Sequence, residues 1–195
     1  MITYRRITEK IFILICVTMI CKKKLILIYL LNMEKQKIYL ETTLFNYYFD
    51  EDRDAHADTV ILFDECALGK YEPYTSLYVI SELEDAPDEK RSKMLALIEQ
   101  YNITVLAASD EADNLARRYV IEGALPQGSL SDASHIAIAS VNTLDMIVSL
   151  NFHHIVREKT IKLTGAINVL LGYRAIEINT PMEVIDDEKT RYHIR

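Results

Sequence analysis

Four oxygen-bearing side chains occupy positions where the ends of strands and the starts of helices are expected. Glu41 and Asn151 follow apolar runs typical of buried strands, Glu82 lies early in the helix after a second strand, and Asp132 opens an apolar helix. The ligand-binding cleft of an open parallel sheet lies at the carboxyl ends of its strands. We therefore expect these four side chains to meet at one edge of a sheet.

Clustered carboxylates repel one another and take up protons unless a cation holds them. Oxygen ligands without Cys or His favour Mg²⁺ or Mn²⁺. Such an ion can deprotonate and orient a water molecule and neutralise a phosphodiester. Each residue alone has a simpler explanation, because a single Asp before an apolar helix is usually an N-cap and an exposed Glu is usually solvated. Their joint placement favours a metal site.

The elements that would position these residues follow from the hydrophobic pattern. From Lys37 onward, short apolar runs alternate with longer segments of helical period, which indicates a parallel sheet with crossover helices. The predicted strands cover 38–40, 74–77, 103–106, 146–149 and 175–178. The predicted helices cover 44–49, 54–68, 77–84, 88–101, 110–122, 132–141 and 158–170. Right-handed crossovers place helices on both faces, so the predicted fold is a three-layer α/β/α sandwich with a mostly parallel five-stranded sheet.

Length and composition limit the classes of protein. A chain of 195 residues provides one full domain, and 50% hydrophobic with 26% charged residues excludes a disordered or low-complexity chain. The three cysteines match neither a zinc-site spacing nor a small disulfide framework. A reducing cytoplasm is therefore the expected location.

The net charge is divided unevenly along the chain. The total of −7 consists of +5 in residues 1–32 and −12 in the remaining 163 residues. A region this acidic cannot bind a polyanion by its own charge, since non-specific binding of nucleic acid depends on Lys and Arg. If the substrate is a nucleic acid, a bound cation would supply the missing positive charge.

The N-terminal segment differs from the rest of the sequence. Two apolar runs, 11–21 and 25–31, are separated by three lysines, and neither approaches the 20 or so residues that span a bilayer. No small-x-small cleavage site follows them. We interpret 1–32 as an upstream extension, for example from a misassigned start codon, with a peripheral membrane anchor as the alternative. The folded domain is expected to occupy 33–195, with no stable membrane span.

Nearly all of residues 36–185 resembles the PIN domain. Four segments carry the resemblance, namely Glu41-Thr42-Thr43 after the first strand, Ser81-Glu82-Leu83, the helix Leu130-Ser131-Asp132-Ala133-Ser134-His135-Ile136-Ala137-Ile138-Ala139, and Asn151 after Ile147-Val148-Ser149. The resemblance implies a metal-dependent ribonuclease fold, with Glu41, Glu82, Asp132 and Asn151 as catalytic metal ligands assisted by Thr42 or Ser149. Many small bacterial members are VapC-like toxins neutralised by a cognate antitoxin.

Two residues depart from the family pattern. Glu41 stands where most members have Asp, which moves the carboxylate outward by about one C–C bond. Asn151 replaces an acid with a neutral amide, so a second ion would be held more weakly. The expected activity is a Mg²⁺- or Mn²⁺-dependent endoribonuclease acting on RNA, with an antitoxin and a second copy of the chain as candidate partners. The alternatives are a catalytically weak or inactive module that binds RNA or protein, and a phosphatase-like hydrolase.

Further side chains near these positions allow two interpretations each. His135 lies one helical turn after Asp132 and could support the metal site or simply pack in the core. His153 and His154 follow Asn151 at the cleft rim, where they could touch RNA phosphate, although neutral imidazoles would add little charge. The aromatic segment 47–49 could stack on bases, or it could pack in the core or at a dimer face. The basic candidates for a phosphate path are Arg117, Arg118, Arg157, Lys159, Lys162 and Arg174.

Overall fold

The computed structural model describes residues 35–185, and the predicted extension 1–32 lies outside this range. Five strands form one parallel sheet in the order β3-β2-β1-β4-β5. They are β1 (Gln36–Leu40), β2 (Tyr71–Ser76), β3 (Thr104–Leu106), β4 (Met146–Val148) and β5 (Glu177–Asn179). The helices of this region are α1 (Thr42–Tyr47), α2 (His56–Ala67), α3 (Leu77–Glu84), α4 (Asp88–Gln100), α5 (Asp110–Ile121), α6 (Leu130–Val141), α7 (Glu158–Leu171) and α8 (Pro181–Val184). The predicted α/β/α fold class is confirmed.

The central strand β1 is buried along most of its length. Ile38, Tyr39 and Leu40 are fully buried, and Tyr39 pairs with Tyr74 of β2 on one side and Ile147 of β4 on the other. A parallel sheet covered on both faces requires such continuous apolar strands. Of these three buried residues only Tyr39 has a hydroxyl group, which therefore lies in the middle of the core.

Polar residues end strands and begin helices at the carboxyl edge of the sheet. The Glu41 side chain accepts a hydrogen bond from the backbone N–H of Thr43 and caps α1, and Ser76 caps α3 by accepting from the N–H of Val79. An extended backbone with a side-chain acceptor is the usual geometry of an N-cap. These caps fix where the side chains of the candidate site emerge.

The strand order places a crevice between β1 and β4. The chain passes from β1 to β2 on one side, while β4 continues to β5 on the other side. Ligands of open α/β sheets bind at such a switch point, outside the carboxyl ends of the strands. Glu41 follows β1 and Ser149 follows β4, so both lie at this crevice.

Two local features differ from the sequence-based prediction. Strand β2 begins at Tyr71 and contains Pro73, although Pro73 was expected to precede the strand. At Pro73, β2 pairs with β1 but its pairing with β3 begins only at Tyr74, so the missing N–H is tolerated there. Helix α8 was not predicted, although Thr180 and Glu183 form a capping box around Pro181.

Within residues 35–185, no helix is both long and apolar enough to cross a membrane.

Candidate metal centre

Glu41 is anchored by hydroxyl and backbone donors from both sides of the crevice. Its Oε2 accepts hydrogen bonds from the N–H and the hydroxyl of Thr43, and from the Ser149 hydroxyl at 2.8 Å. Thr43 Oγ1 in turn accepts from the Leu150 N–H at 2.9 Å. Although Glu41 is only 3% exposed, its Oε2 therefore has three hydrogen-bond donors within the protein.

Glu82 extends from α3 towards the same place and is held by three donors. Ser131 donates to Oε1 at 2.8 Å, and Thr42 donates to Oε2. His135 Nε2 lies 3.1 Å from the same Oε2. These partners come from α1 and α6, so Glu82 ties three helices together at the carboxyl edge of the sheet.

His135 completes a cluster with the two glutamates. One ligand atom from each of Glu41, Glu82 and His135 lies within 4.8 Å of the others. His135 is 1% exposed, and its second ring nitrogen, Nδ1, lies 2.9 Å from the Tyr39 hydroxyl. The sequence left the role of this histidine open, and the structure places it directly against a predicted metal ligand.

The pKa values of Glu82 and His135 each favour the charged form. Burial would raise the pKa of Glu82, but the hydrogen bond and positive field of His135 with the Thr42 and Ser131 hydroxyls lower it to about 2. Burial would lower the pKa of His135, but the Glu82 hydrogen bond and the nearby carboxylates Glu41 and Asp132 raise it. Glu82 was expected to need a cation to stay ionised, whereas donors of the protein itself stabilise its charge.

Asp132 and Asn151 form a second pair beside this cluster. The Asn151 Nδ2 donates to Asp132 Oδ1 at 2.6 Å, and both side chains are half-buried. Ser149 connects the pair to Glu41, because its Oγ accepts from the Asn151 N–H at 3.0 Å and donates to Glu41 Oε2. The four predicted residues thus gather at one crevice, as two linked pairs.

The contacts of Asn151 determine which way its amide faces. Its Oδ1 accepts from the His154 backbone N–H at 3.1 Å, and that group can only donate. Its Nδ2 faces Asp132, whose carboxylate can only accept when ionised. A reversed amide would lose both hydrogen bonds. In this orientation Asn151 supports Asp132, and its Oδ1, which was predicted to bind the metal, already accepts from the His154 N–H with one of its two lone pairs.

The donor set is compatible with a hard divalent cation. Among residues 35–185, no hydrogen bond is made to Oε1 of Glu41 or to Oδ2 of Asp132, so each retains lone pairs. Carboxylate oxygens suit Mg²⁺ and Mn²⁺. Glu41, Glu82 and Asp132 are the residues that would hold the ion.

The aromatic segment after the first acid is engaged mainly in packing. The Tyr48 ring contacts Phe63 and Tyr101 edge to face, and its hydroxyl lies 2.8 Å from that of Tyr101. Tyr47 instead lies under the Arg53 guanidinium. For Tyr48 the packing interpretation is therefore the one that the structure supports.

Several charged candidates are already paired. Arg118 pairs with Glu122 and Lys162 with Glu158, in each case one turn apart on the same helix. Arg157 donates to the carbonyl of His153 at 3.3 Å. The candidate Arg174 pairs with Asp145, which also accepts a hydrogen bond from the Lys37 N–H.

The supporting residues Tyr39, Ser76 and Ser131 were not predicted from the sequence. A tyrosine within an apolar strand and a serine at a helix start are ordinary features of core packing and capping. One signal was available for Tyr39, because a buried phenol requires a hydrogen-bond partner.

Comparison with known proteins gives similarity at the level of structure. Neither a scan of family models nor a search of curated proteins gave a match. The fold is similar to VapC20 from Mycobacterium tuberculosis, a sarcin-ricin loop cleaving toxin, with TM-score 0.45 and 13% identity over 56% of this chain and 86% of that one. It is also similar to VapBC2 from Rickettsia felis, solved with a promoter DNA fragment, with TM-score 0.47 and 12% identity over 74% of this chain and 98% of that one. Similarity this low assigns no activity to this chain.

Proposed function

We propose that this protein is a Mg²⁺- or Mn²⁺-dependent endoribonuclease in which Glu41, Glu82 and Asp132 bind the ion. The observation that carries the proposal is the cluster of Glu41, Glu82 and His135 at the switch point between β1 and β4, to which Asp132 is linked through Asn151 and Ser149. When bound, such an ion would activate water and neutralise the phosphodiester that the water cleaves.

Neighbouring residues of the chain position the three acids. Thr43, Ser149 and the cap of α1 fix Glu41, while Thr42, Ser131 and His135 fix Glu82. Asn151 orients Asp132. Fixed carboxylates of this kind lose little freedom when a cation binds, which favours a preorganised site.

A toxin role with a cognate antitoxin is the specific form of this proposal, and its supports are the PIN resemblance of the sequence and the acidic site. The cysteine pattern is the basis for proposing that the protein is cytoplasmic. A homodimer remains a prediction from the sequence. Growth of a host expressing the wild type should be arrested, whereas Asp132→Asn should permit growth at equal expression. Rescue by the small protein encoded next to the gene would identify the antitoxin.

The direct test is cleavage of single-stranded RNA with Mn²⁺ and with EDTA. Glu82→Gln and Asp132→Asn should each abolish Mn²⁺-dependent cleavage, because each removes a charge that the ion requires. Glu84→Gln is the matched control, since Glu84 is an exposed acid two residues along the same helix. Full activity of Glu82→Gln or Asp132→Asn would refute the proposed site.

A non-catalytic binding module is the second candidate, and Asn151 is the observation that favours it. Where the family has an acid, this chain has an amide hydrogen-bonded to Asp132. Calorimetry with Mn²⁺ separates the two candidates, because it measures whether the protein binds the ion that the proposed nuclease requires. RNA binding that is unaffected by EDTA, with no cleavage by the wild type, would support the module.

A further inference from the structure

Tyr39 and His135 form a buried polar pair behind the candidate site. The Tyr39 side chain is fully buried in the central strand, and its hydroxyl lies 2.7 Å from Ser76 Oγ and 2.9 Å from His135 Nδ1. Polar groups in a core are costly unless they are hydrogen-bonded. Each hydrogen bond of this pair therefore offsets part of the cost of burying it. The bond at the end of the chain joins His135 to Glu82.

The hydrogen-bond chain has a defined direction at its Glu82 end. An ionised carboxylate only accepts, so His135 Nε2 carries a proton. If His135 is neutral, Nδ1 is bare and accepts from the Tyr39 hydroxyl. If it is protonated, Nδ1 donates to Tyr39, whose own proton turns to Ser76. In both cases Nε2 donates to Glu82, and Tyr39 remains the partner of Nδ1.

The contacts of Tyr39 also span the elements that build the site. Tyr39 belongs to β1, which Glu41 directly follows, and Ser76 caps α3, which carries Glu82. His135 belongs to α6, which carries Asp132. One hydroxyl on β1 thus contacts the elements bearing the other two proposed ligands.

We propose that Tyr39 and His135 are positioning residues for Glu82, holding its carboxylate towards Glu41 so that a divalent cation binds between them. The inference rests on the proposed function and extends it by two residues that do not themselves bind the ion. Removing a partner of this kind typically lowers metal affinity about 10- to 100-fold.

The test compares two tyrosine-to-phenylalanine variants of the full chain by calorimetry with Mn²⁺. Tyr39→Phe removes one buried hydroxyl and should weaken Mn²⁺ binding about 10-fold or more. Tyr119→Phe is the matched control, because Tyr119 is also fully buried and hydrogen-bonds a serine and an amide, Ser140 and Asn168. Tyr119→Phe should bind Mn²⁺ as the wild type does. Wild-type affinity in Tyr39→Phe would overturn the proposal.

A second pair of variants tests the donor at position 135. His135→Gln keeps an N–H donor, whereas His135→Leu does not. We expect His135→Gln to bind Mn²⁺ more tightly than His135→Leu. Equal affinity of the two variants, with circular dichroism showing that both fold, would count against a positioning role.

A metal-free measurement separates this inference from the proposed function. The carboxyl ¹³C resonance of Glu82, assigned by its loss in Glu82→Gln, should shift in Tyr39→Phe and stay in place in Tyr119→Phe, with EDTA present. An unchanged resonance overturns the inference. A shifted resonance in a protein whose wild type binds no Mn²⁺ refutes the metal-dependent function while the link from Tyr39 to Glu82 stands.

Discussion

Replacing Asn151 with Asp exchanges the donor that faces Asp132 for a like charge. The Asn151 Nδ2 lies 2.6 Å from Asp132 Oδ1, so the variant brings two carboxylates to hydrogen-bond distance. Without metal, the variant should be less stable than the wild type. With a divalent ion bound, the added charge should instead strengthen binding, since Mg²⁺ and Mn²⁺ prefer anionic oxygen ligands.

The size of the metal-free loss follows from the distance. Two unit charges at this separation repel by about 1.6 kcal/mol in water and by about 6 kcal/mol at an effective dielectric of 20. Both side chains are half-buried, and protonation of one carboxyl limits the cost to about 4 kcal/mol at pH 7. A loss of about 3 kcal/mol lowers the Tm of a domain of this size by roughly 6–12 °C.

The assay is a thermal melt of both proteins in EDTA and across a Mn²⁺ titration. Asn114→Asp is the matched control, because Asn114 is exposed on α5 and the substitution adds the same charge away from the site. The loss in EDTA should shrink at pH 5, where one carboxyl takes up a proton at less cost. Equal melting of Asn151→Asp and wild type in EDTA, or an identical gain from Mn²⁺, would refute the reasoning.

Three further predictions concern other parts of the molecule. The Glu82–His135 pair should stabilise the fold most between about pH 4.5 and 6.5, because the His135 charge and the hydrogen-bond donors outweigh burial and lower the pKa of Glu82 to about 2, while the pKa of His135 is raised. This stability is lost as the pH falls through about 2 or rises through the raised pKa of His135. Urea unfolding in EDTA should show Glu82→Gln losing roughly 1–3 kcal/mol at pH 5.5 and less at pH 9, and a loss independent of pH would contradict the pairing. Burial raises the pKa of the Cys66 thiol to about 12, so iodoacetamide at pH 8 should leave Cys66 unmodified in the native protein and modify it in urea, as read by peptide mass spectrometry. A chain beginning at Met33 should unfold at an unchanged midpoint, and a large loss of stability would show that 1–32 contributes to the fold.

The positions of the acids could be predicted because parallel sheets impose a simple rule. Glu41 directly follows β1 and Asn151 lies three residues after β4, and an all-parallel sheet brings the carboxyl ends of its strands to one edge. The apolar run from Ile38 to Leu40 is unambiguous because β1 is covered on both faces. These features depend on local sequence and a general topology.

The directions of individual side chains could not be predicted in the same way. His135 lies on an apolar helix face, where the sequence equally favours packing, and only the approach of Tyr39 and Glu82 from other elements determines its contacts. The amide of Asn151 faces Asp132 because the His154 N–H occupies its oxygen. Such contacts join residues far apart in sequence or depend on the turn between them.

The hydrogen bond from Ser149 to Glu41 has a consequence for protein synthesis. The two residues are 108 positions apart, and Glu41 precedes most of the domain while Ser149 follows β4. Because β4 pairs directly with β1, a nascent chain that stops before residue 146 has neither the neighbour of its central strand nor the crevice beside it. Long-range pairing of this kind closes late in folding. An acidic site assembled from residues on both β1 and β4 therefore forms only once the chain has been synthesised beyond β4, and a shorter translation product lacks the site.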